Sequence, residues 1–224
     1  MIGIIVAMSN EFDLLLKLMS DHQTKQFNHL NFAIGKIQGQ SIVLMQSGMG
    51  KVCAAIAARE MIEQFHPQYI INTGLAGGLD TKLSVMDIVV GKDVVYHDVW
   101  CGEGNEYGQV QDLPAVYHGD KNLLKQISAL SSDVKIISGL ITSGDQFISN
   151  VNELQKIKQH FPDGLAVDME SGAIAQTCYL YNVPFISLRI ISDTPGIDNH
   201  YQQYLDFWNK APEKSCEIIR QLIK

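Results

Sequence analysis

Short, continuous apolar runs of strand length recur along this sequence, separated by segments with helical periodicity. Ile2–Met8 is apolar throughout, and Tyr69–Thr73 and Pro184–Ile191 are mainly apolar, without a regular alternation of apolar and polar residues. A strand that is apolar along its whole length is buried on both faces, which requires helices on both sides of the sheet. The pattern therefore predicts an α/β fold with a largely parallel central sheet covered by helices.

The segments between these runs complete the predicted element order. Phe32–Ile37 and Ser41–Gln46 flank Gln38-Gly-Gln40 and predict a β-hairpin. Val99–Tyr117 has no regular pattern and is too long for a simple connector, so we expect it to be functional or to lie at an interface. Helical periodicity predicts helices over Val52–Phe65, Asp120–Leu130, Asn152–His160 and Gly172–Tyr181, and a final one over Tyr201–Lys224 that is interrupted or starts afresh near Pro212.

Composition narrows the class of protein. The 224 residues are 46% apolar and 18% charged, which predicts one well-packed domain over residues 1–224. The net charge of −7 argues against nucleic acid or an anionic membrane as a partner. No apolar run reaches the ~18 residues of a membrane helix. The first residues lack the basic flank of a signal peptide, so we expect a cytoplasmic protein.

The cysteines and histidines give no sign of a disulfide framework or a metal site. The four cysteines are far apart, without a Cys-x-x-Cys pair, and the seven histidines lack metal-ligand spacing. Cys53 and Cys178 fall on apolar helical faces, so we expect both thiols in the core. No metal is predicted.

Carboxylates stand at or just after the ends of predicted strands. Asp168 and Glu170 follow one apolar run, Asp193 follows another, and Glu11 leads the apolar stripe of the first helix, which Ser9 and Asn10 can cap. Glu170 has two interpretations: an ordinary first-turn glutamate, favoured by the free N–H groups there, or a site residue. Glu11 likewise lies at the exposed end of its stripe or points into a site above the first strand. Several acids gathered at strand ends are how an open α/β sheet builds a site.

Two glycine-rich segments and one aromatic residue are further candidates. Ser47–Lys51 joins a strand to a helix, and Gly74–Gly78 is expected at the exit of a buried strand. Ser47–Lys51 matches neither a Walker loop nor a full dinucleotide fingerprint, so it is either a close backbone approach to a ligand or simply a tight turn. Phe147 follows another strand exit and either lies against a flat ring or closes the core.

This set of residues limits the chemistry. The sequence has no Gly-x-Ser-x-Gly elbow and no evident pair of nucleophile and base. Carboxylates accept hydrogen bonds from vicinal hydroxyls, which favours a sugar as ligand. Cleavage of an anomeric bond needs an acid for the leaving group and a base for water. The residues alone therefore favour a sugar-directed acid–base site.

Seven motifs, in order along nearly the whole chain, resemble those of the bacterial 5′-methylthioadenosine/S-adenosylhomocysteine nucleosidases. This family belongs to a superfamily that also contains the nucleoside phosphorylases. The resemblance implies a nucleoside phosphorylase-like, three-layer α/β/α fold with a twisted central mixed sheet, a homodimer, a small-molecule nucleoside substrate, and no metal or organic cofactor. The motifs are Met-Ile-Gly-Ile-Ile-Val-Ala-Met at 1–8, Ser-Gly-Met-Gly-Lys at 47–51, Ile-Asn-Thr-Gly-Leu-Ala-Gly-Gly at 71–78, Tyr-His-Asp at 96–98, Ser-Gly-Asp-Gln-Phe-Ile at 143–148, Ala-Val-Asp-Met-Glu-Ser-Gly-Ala-Ile-Ala at 166–175 and Arg-Ile-Ile-Ser-Asp at 189–193.

The resemblance also implies the catalytic roles. Glu11 matches the glutamate that activates water, and Asp193, helped by Ser192, matches the aspartate that protonates adenine N7. Adenine leaves poorly as an anion, so protonation at N7 lowers the barrier. Asp193 must then be protonated when substrate is bound, which requires burial or a nearby carboxylate to raise its pKa.

Binding roles follow from the same resemblance. Glu170 matches the glutamate that holds the ribose hydroxyls, and Met169 is expected under the sugar. Phe147 is expected to stack on adenine, and the backbone of Ile148 to read the base edge. Gly77, in the second glycine-rich motif, completes the expected substrate-binding set.

The chain departs from the family pattern around the expected 5′ pocket. Leu75 stands where the family usually has serine, and the segments 99–105 and 194–200 differ from the usual pattern. In the family, the first of these segments reaches into the partner's pocket and touches the 5′-alkylthio group. Trp100, Tyr201 or Tyr204 are candidates for the missing apolar wall, and the preferred 5′ substituent stays open.

Two alternative functions stay open at this point. A nucleoside phosphorylase would need a cationic phosphate site, and the only arginines are Arg59, Arg189 and Arg220. Asn72 occupies a position where many phosphorylases of the superfamily carry arginine, which favours water as the nucleophile. A non-catalytic nucleoside-binding member of the superfamily is the second alternative, and the joint presence of the three acids argues against it.

Overall fold

A computed structural model describes residues 1–193 and 211–223. The described strands are β1 (Ile2–Val6), β2 (Ser20–Phe27), β3 (Leu30–Ile37), β4 (Gln40–Gln46), β5 (Ile70–Gly78), β6 (Ile88–Tyr96), β7 (Tyr117–His118), β8 (Ile136–Ser143), β9 (Gly164–Asp168) and β10 (Phe185–Asp193). The described helices are α1 (Ser9–Leu16), α2 (Lys51–Phe65), α3 (Lys121–Ser128), α4 (Val151–His160), α5 (Ser171–Tyr181) and α6 (Ala211–Leu222).

All of these strands belong to one mixed sheet. β1 lies between β4 and β5 and runs parallel to both, and β5 is also parallel to β10. β6, β8 and β9 form a second parallel group, which joins β10 through an antiparallel pairing. Because β5 also pairs with β9, the strands β5, β10, β6, β8 and β9 close into a ring. The mixed sheet implied by the family resemblance is therefore confirmed, whereas a largely parallel sheet describes only parts of it.

Helices cover both faces of the sheet, as the fully apolar strands predict. In β1, Ile2, Ile4 and Val6 pack into a core cluster with residues of α1, α3 and α6, whereas Ile5 packs into a second cluster with residues of α2 and α5. Gly3 allows the second packing to be close, because a Cβ there would lie 2.6 Å from the Met61 sulfur of α2. Alternate side chains of this one strand thus pack into the two core layers on opposite faces of the sheet.

Most predicted elements are present, with three differences. β2 was not predicted, because its residues are almost all exposed and carry no apolar signal. The motif Gly74–Gly78 lies inside β5 rather than at its exit, because β9 and β10 both pair with this stretch. The cap of α1 is Met8, so Ser9 and Asn10 lie in the first turn of the helix. The final helix is confirmed from Ala211, and the predicted start at Tyr201 lies outside the described residues.

Three further expectations concern the burial of the cysteines, membrane-spanning helices and metal sites. Cys178 is buried as predicted, but Cys53 is exposed, because its side of α2 faces away from the sheet. Within residues 1–193 and 211–223, no helix is long and apolar enough to cross a membrane. In the same part of the chain, no group of three or more metal-ligating side chains is positioned to hold a metal ion.

Candidate active site

A pocket opens where the ends of β1, β5, β9 and β10 meet. β1, β5 and β10 are parallel neighbours, so their carboxyl ends share one edge, and β9 reaches the same place through its pairing with Gly77 and Gly78. The described residues lining it are Ala7, Met8, Glu11, Met49, Leu75, Ala76, Gly77, Gln146, Phe147, Ile148, Val167, Asp168, Met169, Glu170, Arg189, Ser192 and Asp193.

The eight catalytic and substrate-binding residues predicted from the family resemblance all lie in this one pocket. Glu11 comes from the first turn of α1, and Gly77 from β5. Phe147 and Ile148 come from the loop after β8, Met169 and Glu170 from the junction of β9 and α5, and Ser192 and Asp193 from the end of β10. The fold thus brings together residues that are far apart in the sequence, such as Glu11 and Asp193. Their individual roles stay predictions.

Glu11 points into the pocket, not to the exposed end of its helix. Its side chain is only 2% exposed. Oε2 accepts hydrogen bonds from the backbone N–H groups of Ala7 (3.1 Å) and Met8 (3.0 Å), and Oε1 accepts one from Leu75 (3.3 Å). Burial raises the pKa of Glu11 from 4.5 to about 7, against the lowering effect of the Met8 and Ala7 N–H groups and of Arg189. At neutral pH this carboxyl group is poised between its two protonation states.

Asp193 is buried at the last position of β10. The Ser192 hydroxyl donates a hydrogen bond to Asp193 Oδ1 over 2.6 Å, and Asp193 pairs with Gly77 of β5 after a shift of register at Ser192. The serine therefore contacts the carboxyl group that the family resemblance assigns as the acid.

Glu170 occupies the N-cap position of α5, but its carboxylate does not cap that helix. Oε1 instead accepts a hydrogen bond from the backbone N–H of Gly50 (3.0 Å), the residue at the start of α2. Asp168 Oδ1 accepts the N–H of Ser171 (3.2 Å) in the first turn of α5, which is the role that one of the two interpretations gave to Glu170. Because Asp168 binds the free N–H of α5, the Glu170 carboxylate stays on the pocket wall. Its pKa is raised, mainly by burial and also by Asp168, against the lowering effect of Arg189.

Arg189 is a site residue to which the sequence analysis gave no role. It lies inside β10, is 1% exposed and lines the pocket. Its Nε lies 2.6 Å from Asp168 Oδ2, and its Nη2 lies 3.8 Å from Glu170 Oε2 and hydrogen-bonds to Asn72 Oδ1. An arginine inside the otherwise apolar run 185–191 was the signal that could have identified it, because a buried charge requires a buried partner.

The glycine at 74 allows Arg189 and Glu11 to approach each other. A Cβ at Gly74 would lie 2.7 Å from Arg189 Nη1 and 2.9 Å from Glu11 Oε1. Any larger residue would push the guanidinium and the carboxylate away from β5. The glycine-rich motif therefore makes room for charged side chains of the protein, which is a more specific use than a tight turn.

The pocket lining also contains several apolar side chains. Phe147 is 45% exposed at the pocket wall, Ile148 is buried, and Met169 is half-buried between the two motif acids. Leu75, which replaces the family's usual serine, lines the pocket beside Glu11. The wall suits a flat heteroaromatic ring together with an apolar substituent.

Of the residues proposed for the 5′ wall, Trp100 is absent from the pocket lining in the described part of the chain. Trp100 is exposed and stacks on Tyr107 with ring centroids 6.3 Å apart. Tyr107 is held in turn by its stack on His160, at 3.6 Å, and by the hydrogen bond from its hydroxyl to the His97 carbonyl. Tyr201 and Tyr204 lie outside the described residues.

Three motif residues without an assigned role, Lys51, Asp98 and Asp145, meet beside the pocket. Lys51 Nζ lies 3.0 and 2.9 Å from the two carboxylate oxygens of Asp98. Asp98 Oδ2 accepts the backbone N–H of Asp145 (2.8 Å), and Asp145 Oδ1 accepts the backbone N–H of Lys51 (2.7 Å). Lys51, Asp98 and Asp145 thus form a closed ring of hydrogen bonds, called the polar ring below.

The geometry of the pocket suits acid–base chemistry on a ligand that joins a flat ring to a polyol. Glu11 and Glu170 have raised pKa values, and the main cause in both is burial. Arg189 opposes both shifts and partly balances the negative charge. Perturbed carboxyl groups that converge on one pocket are characteristic of catalytic sites.

Comparison with known proteins supports the family resemblance over the full length of the chain. All of residues 1–224 match the family model described as the Phosphorylase superfamily. The 5′-methylthioadenosine/S-adenosylhomocysteine nucleosidase of Staphylococcus epidermidis is 42% identical over 229 residues, covering 100% of this chain and 99% of that protein.

Solved structures of similar proteins agree with the fold described above. The nucleosidase from Neisseria meningitidis in complex with methylthio-immucillin-A has a TM-score of 0.96 and 34% identity, covering 100% of this chain and 98% of that one. The nucleosidase from Colwellia psychrerythraea in complex with adenine has a TM-score of 0.94 and 36% identity, covering 99% of this chain and 93% of that one. The predicted fold class is therefore confirmed.

Proposed function

The chain belongs to the phosphorylase superfamily, and on that premise we propose that it is a nucleosidase. It hydrolyses the N-glycosidic bond of 5′-methylthioadenosine, S-adenosylhomocysteine or both. The products are adenine and the 5′-thio-substituted ribose. The nucleosidase from Staphylococcus epidermidis, 42% identical over its full length, supports this activity.

One observation carries the proposal: Glu11 and Asp193 are anchored two residues apart on β5. Glu11 Oε1 accepts the N–H of Leu75, and Asp193 pairs with Gly77. A strand rises about 3.3 Å per residue, so the two anchor points are about 7 Å apart. The two acids therefore reach the pocket from different points along β5, and cleavage of an anomeric bond needs such a pair, an acid for the leaving group and a base for water.

The roles of the acids follow from what each one contacts. Asp193 donates a proton to adenine N7, and Ser192 holds one oxygen of its carboxyl group. Glu11 accepts the proton of the attacking water, and its pKa of about 7 suits a base that works near neutral pH. Glu170 accepts hydrogen bonds from the ribose hydroxyls and faces the positive charge that develops on the sugar.

Water is favoured over phosphate as the nucleophile. Among the described lining residues, Arg189 is the single arginine or lysine, and Asp168 Oδ2 lies 2.6 Å from its Nε. Glu170 is the second carboxylate beside this guanidinium, at 3.8 Å. A phosphate dianion would have to compete with both, which costs the favourable pairing of a buried cation. The phosphorylase alternative is therefore disfavoured.

We further propose that the enzyme is a homodimer. Large apolar side chains are exposed on the segments that the polar ring joins. Met49 and Val52 flank Gly50 and Lys51, and Val52 is 68% exposed. The exposed members of this patch are Met49, Val52, Ile56, Trp100 and Phe147.

An exposed apolar patch of this kind is typical of a protein–protein interface. The hydrogen bonds of Lys51 with Asp98 and Asp145 bring the segments that carry this patch together. Trp100 follows Asp98 by two residues, and Phe147 follows Asp145 by two residues. Because Phe147 also lines the pocket, a second copy packed on this patch would lie at the pocket entrance. The cytoplasmic location stays a prediction.

One assay tests the reaction directly. Purified protein is incubated with 5′-methylthioadenosine or S-adenosylhomocysteine, with and without phosphate, and the base and sugar products are identified by chromatography and mass spectrometry. We expect free adenine and the free 5′-thio-substituted ribose, independent of phosphate. A ribose 1-phosphate formed only with phosphate would show a phosphorylase. Tight binding without turnover of either nucleoside would indicate the non-catalytic alternative.

A further inference from the structure

The polar ring connects two parts of the pocket that the reaction must align. On one side, Lys51 follows Gly50, whose N–H donates to Glu170 Oε1 over 3.0 Å. On the other side, Asp145 precedes Phe147 by two residues, in the loop expected to hold the base. The carboxylate for the ribose and the aromatic residue for adenine are therefore connected through a few hydrogen bonds.

The ring fixes the backbone at Gly50 from two directions. The Lys51 N–H is held by Asp145 Oδ1 at 2.7 Å, which defines the peptide plane next to Gly50. Gly50 has a φ of 89°, and a Cβ there would lie 2.9 Å from Asp145 Oδ1. Asp145 therefore packs directly on the glycine whose N–H reaches Glu170.

We propose that Lys51, Asp98 and Asp145 are positioning residues for the reaction. The ring holds the Gly50 N–H on Glu170 and keeps the Phe147 loop in register with it, so ribose and base are held in one arrangement. This inference rests on the proposed nucleosidase function for its kinetic consequence. The geometric part, in which Asp145 fixes the Gly50 N–H on Glu170, is testable without any substrate.

Stabilisation of the fold does not account for this arrangement. Lys51 and Asp98 side chains are 26% and 24% exposed, and partly exposed ion pairs contribute little to stability. Two of the four hydrogen bonds in the ring involve backbone N–H groups, one at the start of α2 and one in the base loop. The ring therefore defines backbone positions that border the pocket.

A double-mutant cycle tests the link to Glu170. Asp145→Ala removes the acceptor of the Lys51 N–H and should lower kcat/KM about tenfold, the scale of one charge-assisted hydrogen bond. Asp145→Asn keeps an oxygen acceptor and should stay within about threefold of wild type. In a Glu170→Ala background, which removes the acceptor of the Gly50 N–H, Asp145→Ala should cost less than about threefold, because the two residues act through one contact. Equal losses in both backgrounds, or an Asn variant as impaired as the Ala variant, would overturn the proposal.

Asp133→Ala is the matched control. Asp133 is an exposed aspartate that pairs with Lys214 Nζ at 2.7 Å and does not line the pocket. Its loss should leave kcat/KM within about twofold, as expected for an exposed ion pair. If Asp145→Ala fails to fold, Lys51→Met opens the ring at the Asp98 side and is measured in the same two backgrounds, with the same expected non-additivity.

Amide hydrogen exchange of the ligand-free protein, resolved by NMR, separates this proposal from the proposed reaction. Asp145→Ala should speed exchange at Lys51, its direct partner, and also at Gly50, the donor to Glu170. Faster exchange at Lys51 alone would overturn the link to Glu170, whether or not the protein cleaves nucleosides. A wild type that releases no adenine would refute the nucleosidase function and leave the exchange result to decide on the link.

Discussion

Glu11→Gln should inactivate the enzyme and at the same time improve its stability at alkaline pH. Glutamine keeps the shape of the side chain, but it cannot take a proton from water. We expect kcat/KM to fall by at least ~10²-fold, the lower range for loss of a general base. The stability effect arises because Glu11 is buried in wild type and must be ionised there at high pH.

The magnitude follows from the raised pKa. Burial moves the pKa of Glu11 from 4.5 to about 7. A carboxyl group with a higher pKa in the folded state favours folding when protonated. Its contribution is fully present below the unfolded value of 4.5 and is lost as the pH rises through about 7. At ~1.36 kcal/mol per unit, the full loss is about 3 kcal/mol.

Urea unfolding of both proteins at about pH 5 and about pH 8.5 measures this loss. Relative to wild type, the Gln variant should gain about 2.5 kcal/mol in free energy of unfolding between these two pH values. Any pH-independent cost of the Gln side chain, such as a lost hydrogen bond from Ala7 or Leu75, cancels in this difference. Glu170 titrates in both proteins and largely cancels too. Parallel stability profiles, within about 0.5 kcal/mol, would refute a buried Glu11 that ionises near neutrality.

Four further predictions concern the reaction and the assembly. The kcat/KM of wild type should rise about tenfold per pH unit below about pH 7, because Glu11 must be ionised; a flat profile would contradict its role as base. Asp193→Asn should bind a substrate analogue nearly as well as wild type in calorimetry but lose at least ~10²-fold in turnover, and retention within about tenfold would mean that another group is the acid. Glu170→Gln should weaken binding of the same analogue as well as turnover, because the ribose contact is made in the ground state too; unchanged binding would place its effect in the transition state alone. Val52→Asp should convert a dimer to monomers in analytical ultracentrifugation, and a fully active wild-type monomer at micromolar concentration would contradict the dimer.

The fold was predictable where apolar residues dominate and was missed where they do not. β1 and β10 are buried at every position, so their sequences carry a strong signal. β2 is a polar strand at the edge of the sheet, and its pairing with β3 has no counterpart in hydrophobic periodicity. The glycines of β5 predict a loop by propensity, but two neighbouring strands pair with them and continue the strand.

The sequence was sufficient to predict which acids line the site, but not which groups they contact. Glu11, Glu170 and Asp193 stand at or beyond strand ends, and parallel strands bring such positions together. Which acid caps α5 and which enters the pocket depends on side-chain directions at Asp168 and Glu170, and sequence spacing does not determine these. The polar ring joins positions 51, 98 and 145, so its contacts depend on the complete fold.

Arg189 shows how the site tolerates so many acids and still favours the reaction. Asp168 holds the guanidinium at 2.6 Å, so much of its charge is compensated before a substrate arrives. Glu170, at 3.8 Å, is close enough for the arginine to favour its ionised form, but it keeps one oxygen on the Gly50 N–H and its side chain on the pocket wall. In the proposed mechanism, positive charge develops on the ribose as the glycosidic bond breaks, and we expect Glu170 and an ionised Glu11 to be the carboxylates that face it. The pocket is thus more complementary to a cationic sugar than to the neutral nucleoside, which is the condition for binding energy to accelerate the chemical step.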